Sequence, residues 1–281
     1  MVLDVVAAVA AAVAYGVAAV LQAVAARRVE PAEGVDPTLL VRLLRRPAFV
    51  VAVVLNLVGY VLHLMALRSL PLFLVQAAIA ASVAVTAVLS GPVLGAVLTG
   101  RDKLAVGSAA AGLMLLTIGS GGTTAGTLGT GGRWLLVAAA AAVCIAGFLA
   151  GRITGGTGAA LLGAVAGFGY AVVGVGSRVL PELRPAALIT DPATYAVVIS
   201  GGVAFLLYAT ALQRGEVMTA TGPMVVVQTV VPSLVGVTLL ADVVRSGWEV
   251  PALLGLALAV WGAFQLGRSG AGSPAYTSRV G

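Results

Sequence analysis

The chain has 281 residues, 60% of them hydrophobic and 9% charged, with a mean hydropathy of +1.10. A soluble domain carries about 25% charged residues, so this composition excludes an ordinary water-soluble globule and indicates a polytopic membrane protein. The net charge of +6 comes from basic residues set singly or in pairs between apolar runs, without aromatic interleaving, which suits membrane orientation and argues against a nucleic-acid partner.

A crossing needs about 20 apolar residues. The first such run is Val5–Ala26, preceded by Asp4 and no basic leader, so it reads as a retained span rather than a cleaved signal. It carries Tyr15 and Gln22 at i and i+7. The connection after it holds Arg27, Arg28, Arg42, Arg45 and Arg46. Within it, Asp36-Pro37 has the form of an N-cap followed by proline at the first helical position. The residues after it, Thr38–Arg46, read either as a short interfacial helix or as a solvated loop.

The second run is Pro47–Leu67. Asn56, Tyr60 and His63 recur there at i, i+4 and i+7 and so share one helix face. That stripe either faces a cavity and binds solute, or glues helices together by hydrogen bonds. His63 is the single histidine and could exchange a proton near neutral pH. The third run, Pro71–Thr99, is long and is expected to kink or break at Gly91-Pro92. It holds Gln76, which is costly to bury unpaired, and Ser82 and Thr86, expected to bond their own helix backbone. Leu104–Ser120 is the fourth run, and the glycine- and threonine-rich Gly119–Gly132 reads as a flexible outer loop.

Trp134–Ala150 follows, with the lone Cys144 expected as a small core residue; one cysteine excludes an internal disulfide. Thr157–Ser177 carries Tyr170 and the pair Gly163 and Gly167, which suits close helix packing. Ala193–Leu212 carries Tyr208. Val217–Ala241 carries Gln228 and two candidate kink points, Pro223 and Pro232. Val250–Leu266 completes nine expected spans, and 269–281 reads as a disordered cytoplasmic tail. Lys and Arg total eleven on one side of this arrangement and five on the other. The richer side is expected to be cytoplasmic, with the N-terminus outside. Arginine outnumbers lysine fifteen to one in a chain rich in Ala, Val and Gly, which fits a GC-rich bacterial genome and a bacterial plasma (inner) membrane.

The chain also matches itself at an offset of roughly 145 residues. Ala14-Tyr15-Gly16 matches Gly169-Tyr170-Ala171, Pro47-Ala48 matches Pro192-Ala193, and Ala66-Leu67 matches Ala211-Leu212. Gly112 and Gly119 share the spacing of Gly255 and Gly262. In the third helix of each unit the register is open: Gln76 pairs with Thr221 or with Gln228. Four spans plus one linking span place the second unit upside down relative to the first, a recurrent basis for alternating access. The expected fold is therefore all-α, with about nine transmembrane helices. Residues 1–132 form a first four-helix repeat, 133–152 a linking helix, and 153–268 a second, inverted four-helix repeat.

Each unit resembles the small multidrug resistance four-helix unit. A first helix is followed by a helix ending Ala-Leu. A third helix then ends near a polar turn, Gly100-Arg101-Asp102 or Ala241-Asp242, before a glycine-spaced fourth. The fused, inverted pair resembles the drug/metabolite transporter superfamily. Tyr15-Gly16, Leu21-Gln22, Arg27-Arg28 and Leu74-Val75-Gln76 look most like its NIPA-like branch. The resemblance implies nine or ten helices around a central cavity and transport of small solutes; the branch implies magnesium. The small multidrug relatives bind cation or proton through a first-helix glutamate. Here that region reads Ala12-Val13-Ala14-Tyr15, with no acid.

The expected function is a transporter moving a small neutral or amphiphilic solute by alternating access. Tyr15, Gln22, Asn56, Tyr60, His63, Gln76, Tyr170, Tyr208 and Gln228 are the cavity-lining candidates. One alternative is a NIPA-like magnesium transporter. The other is a non-transporting scaffold or accessory subunit of an envelope-assembly complex. No catalytic set, metal-ligand pair or phosphate loop occurs at usable spacing, so neither an enzyme nor a cofactor is expected. A monomer or homodimer in the lipid bilayer would suffice.

Overall fold

The structure is a computed structural model that describes residues 2–30, 34–94, 99–123, 128–180, 185–215 and 217–269. The expected tail falls almost entirely on residues 270–281, outside the described residues. The described chain is helical apart from one small two-stranded ribbon. In order it forms α1 (Val2–Ala26), α2 (Thr38–Leu44), α3 (Pro47–Leu67), α4 (Leu72–Ala80), α5 (Ser82–Leu94) and α6 (Gly100–Gly119). Then come β1 (Ser120–Thr123), α7 (Thr130–Ala150), α8 (Gly155–Val179), α9 (Pro185–Thr190), α10 (Pro192–Arg214), α11 (Val217–Leu239), β2 (Asp242–Val244) and α12 (Glu249–Ser269).

Seven helical runs are long and apolar enough to cross a membrane: α1, α3, α4 with α5, α7, α8, α10 and α11. The chain is thus a plausible multi-pass membrane protein. The other two expected spans coincide with α6 and α12, whose apolar stretches are the shorter Lys103–Gly119 and Glu249–Gly262. Arg101, Asp102 and Lys103 occupy the start of α6, and Gln265 and Arg268 the end of α12, so neither helix is apolar throughout.

Local chemistry sets several helix starts. Pro47 and Pro192 sit at the first turns of α3 and α10, where a missing N–H costs nothing. Asp191 caps α10 by accepting the Ala193 N–H at 2.8 Å, and the same carboxylate pairs with Arg133 at the start of α7. Asp36 accepts the Thr38 N–H at 2.8 Å, as its N-cap signature predicts. That bond and the Thr38 hydroxyl hold its carboxyl below the usual range. The short helix α2 that follows is not a solvated loop: Leu39 and Leu43 are buried with Phe49 and Ala209.

The long third run is interrupted at a different place from the one expected. α5 continues through Pro92, and the break falls at Ala81, whose N–H is shared between the Ala77 and Ala78 carbonyls. There α1 crosses closely: a Cβ on Gly16 would stand 2.8 Å from the Ser82 carbonyl oxygen. The Gly119–Gly132 stretch is likewise not all loop. Ser120–Thr123 pairs antiparallel with Asp242–Val244, and α7 already begins at Thr130. Residues 124–127 lie outside the described residues. Cys144 is half-buried rather than a core residue.

Glycines govern the tightest crossings. Gly163 and Gly167 on α8 lie against the Ala220 and Met224 carbonyls of α11, so the GxxxG pair serves close packing. Gly112 on α6 and Gly255 on α12 face each other, each where a Cβ would strike the other's carbonyl oxygen. The bundle has two recognisable ends. At one, Arg178 in the last turn of α8 donates to Leu67 O at the end of α3. At the other, Arg214 at the end of α10 donates to Gly151 and Ile153 carbonyls between α7 and α8 and to Gly34 O, while Gln213 reaches Val29 and Glu30 carbonyls beyond α1. It follows that α3 and α10 run in opposite directions, as do α1 and α8.

Candidate functional site: a hollow between six helical segments and α8

A cavity of about 430 Å³ lies inside the bundle, walled by α1, α3, α4, α5, α8, α10 and α11. That volume falls in the range of small-molecule sites. All nine residues singled out from the sequence line it: Tyr15, Gln22, Asn56, Tyr60, His63, Gln76, Tyr170, Tyr208 and Gln228. Among the described residues α6, α7 and α12 contribute nothing to the wall. Among the described residues no Asp, Glu, Lys or Arg lines it, and no group of three or more His, Cys, Asp or Glu is placed to hold a metal.

The α3 stripe divides between the two readings open to it. The Asn56 side-chain amide donates to Ala52 O at 2.8 Å, within its own helix, while the residue lines the hollow. The Tyr60 and Ser177 hydroxyls share a hydrogen bond of 2.9 Å, joining α3 to α8. His63 is 5% exposed, and its Nε2 has no hydrogen-bond partner. One stripe thus supplies a helix-internal bond, an interhelical bond and an uncommitted ring nitrogen.

Two further polar atoms share that condition. Gln22 Oε1 and Gln76 Nε2 are buried and unpartnered. Leaving such a group unmet costs about 1–3 kcal/mol. The Gln76 amide lies flat against α8 at Gly174, where any Cβ would collide with Nε2. Gly59 on α3 clears space in the same way for the Tyr15 ring, which a Cβ would approach to 3.0 Å.

On the opposite wall one polar pair is satisfied within the protein. Tyr208 and Thr221 hydroxyls lie 2.7 Å apart, and the Thr221 hydroxyl also donates to Val217 O at 2.6 Å. With the threonine proton so committed, the Tyr208 O–H is the donor to Thr221. Sequence reasoning did not place Ser82, Thr86 or Thr221 on the wall, although all three line it. Thr86 bonds Ser82 O at 2.9 Å, as expected, and also lies 3.3 Å from Gly16 O on α1.

The wall is paired. Val53 and Val198, Asn56 and Gly201, Leu57 and Gly202, Tyr60 and Phe205, and His63 and Tyr208 all line the hollow at an offset of 145 residues. Gln76 and Thr221, and Ile79 and Met224, extend the same register into the next helix. This favours Thr221 as the counterpart of Gln76.

At the Arg178 end α3, α4, α8 and β2 are tied together by charge. The Leu72 N–H donates to Asp242 Oδ2 at 2.6 Å, and Arg178 lies 3.7 Å from Asp242 Oδ1 while bonding Leu67 O. The carboxylate faces the N-terminus of α4 and the guanidinium the C-terminus of α3, each complementing the helix dipole. Burial pushes the Asp242 carboxyl above the usual carboxylate range, against the opposing pull of the Leu72 N–H and Arg178. Compared with known proteins, the chain matches no protein-family model, no curated protein and no solved structure.

Proposed function

We propose that the chain is a secondary transporter of the drug/metabolite type, with two inverted four-helix units that move a small uncharged solute by alternating access. The observation that carries this reading is the paired wall. Seven residue pairs at one constant offset meet around one hollow, on helices that run in opposite directions. Repeated halves of opposite topology around a central site are a recurrent transporter architecture. In this reading α6 and α12 are the fourth helices of the units and also cross the bilayer, α7 is the linking helix, and the Arg214 end faces the cytoplasm of a bacterial cell. The Gly112–Gly255 contact would join the units.

The lining sets the kind of cargo. Magnesium demands a tight oxygen shell and is usually held by one or two carboxylates; this wall offers amides, hydroxyls and one imidazole. Reconstitution of the full chain in liposomes with a panel of neutral, anionic and cationic solutes, and with Mg²⁺, tests the reading. Flux of a neutral solute, reduced several-fold by Gln76→Leu, is the expected result. No flux for any solute would favour a membrane scaffold, and flux of Mg²⁺ alone would favour the NIPA-like alternative.

A further inference from the structure

The hollow is not sealed along its length. α3 and α10 flank it and touch near the Arg214 end through the Phe49 and Phe205 rings, with centroids 5.6 Å apart. Beyond that contact the wall residues also face outward: Leu57 is 60% and Val198 67% exposed, and Gly202 is exposed too. Leu57 and Gly202 each stand ten residues from the start of their helices, about 15 Å along the axis. A hydrocarbon core is about 30 Å thick, so the gap opens at mid-bilayer depth, where acyl chains are the solvent. Asn56 and Gly201 sit just inside it.

The inner wall imposes a second requirement. Gln22, His63 and Gln76 all line the hollow; each primary amide carries both a donor and an acceptor, and an imidazole nitrogen is either one according to its tautomer. An occupant that meets them must both donate and accept. Among the described residues no charged side chain lines the hollow to neutralise an ion, and an unpaired charge in such a place is strongly disfavoured.

We propose that the hollow binds an uncharged amphiphile, its hydroxyl or amide head hydrogen-bonded by Gln22, His63 and Gln76 and its hydrocarbon chain leaving between α3 and α10 into the bilayer. The inference rests on the transport reading and names its cargo class. The chain passes Leu57, Val198 and Gly202, which offer apolar surface and space. A Cβ on Gly202 would meet nothing within 4 Å, so this residue sets the width of the gap without supporting the fold.

The test is equilibrium binding of labelled 1-monooleoylglycerol to the full chain in detergent micelles, corrected against empty micelles, with three competitors. Glycerol carries the head alone, oleate a charged head, and methyl oleate a head without a donor. Saturable binding of monooleoylglycerol, with each competitor at least tenfold weaker, is the expected outcome. Gln76→Leu should weaken binding about tenfold, the value of one or two hydrogen bonds. Gly202→Phe, which leaves packing intact, should weaken it by a similar factor while thermal unfolding stays unchanged.

Equal competition by glycerol would overturn the amphiphile, and equal competition by oleate or methyl oleate would overturn the head-group assignment. Full binding by Gly202→Phe would overturn the route between α3 and α10, even if Gln76→Leu failed to fold. Saturable binding without liposome flux would remove the transport reading and leave this inference standing. Flux of a small polar solute without monooleoylglycerol binding would do the reverse.

Discussion

Two helix pairs, α6 with α12 and α3 with α10, each bring together elements from the two ends of the chain, and they do so in opposite ways. α6 and α12 meet backbone to backbone at Gly112 and Gly255, with no side chain between them. α3 and α10 are held apart by a hollow and touch through one aromatic pair. Close packing is intolerant of added volume, whereas an open wall accepts it. A bundle that is tight along one seam and hollow along another has its freedom to deform already localised.

The contrast can be broken by substitution. Arg178→Leu carries the largest expected effect. It strands the Asp242 carboxylate, which has almost no solvent access, and removes the tie to Leu67 O; about 3–5 kcal/mol of stability should go. Thermal or denaturant unfolding in micelles reads it, and a loss under 1 kcal/mol would mean that the helix ends are not held together by this charge. Gly112→Ala comes next. Its methyl group would strike the Gly255 carbonyl and the Ala259 backbone, and a cost of about 1–3 kcal/mol is expected. Gly202→Ala, on the open wall, is the control and should be near neutral; equal losses at the two glycines would erase the distinction.

Tyr208→Phe is smaller, about 1 kcal/mol, because it deletes one donor while Thr221 keeps its bond to Val217 O. The least effect concerns pH. The Asp242 carboxyl is raised by burial, so the folded chain binds its proton more tightly than the unfolded chain does. Above about 3.9, the ordinary aspartate value, that contribution is lost as pH rises through the raised folded value and is recovered on acidification. Asp242→Asn should flatten this part of the stability–pH curve, and an unchanged curve would contradict the burial effect.

Much of this was legible in residue types and spacing. Apolar runs between arginines mark the helices, because unpaired backbone and charge are equally costly in hydrocarbon. Tyr15 with Gln22, and Asn56 with Tyr60 and His63, fall on single faces by helical arithmetic, and those faces meet around the hollow. What escaped the sequence depends on tertiary approach. The third run breaks at Ala81 rather than Gly91-Pro92, where Gly16 brings α1 onto the Ser82 carbonyl, and nothing in an alanine announces that. β1 forms from Ser-Gly-Gly-Thr because β2 lies beside it; a Cβ on Gly121 would stand 2.9 Å from Val243 O. Asn56 spends its amide protons on Ala52 O, a choice between own-helix and cross-helix partners that spacing leaves undecided.

The paired wall has one more consequence. On the proposed transport reading, two halves identical in sequence would make a shape open to one face of the membrane and its inverted twin equal in energy by symmetry, and the molecule would rest half the time in each. His63 set against Tyr208, and Gln76 against Thr221, remove that degeneracy. Gln22, His63 and Gln76 hold unmet polar atoms, whereas Tyr208 spends its hydroxyl on Thr221. A difference of about 1.4 kcal/mol between the two shapes would favour one tenfold, and a ligand that satisfies the unmet atoms better in one shape than in the other would redraw that balance. Such a molecule would have a preferred idle posture, written in the mismatches between its two copies.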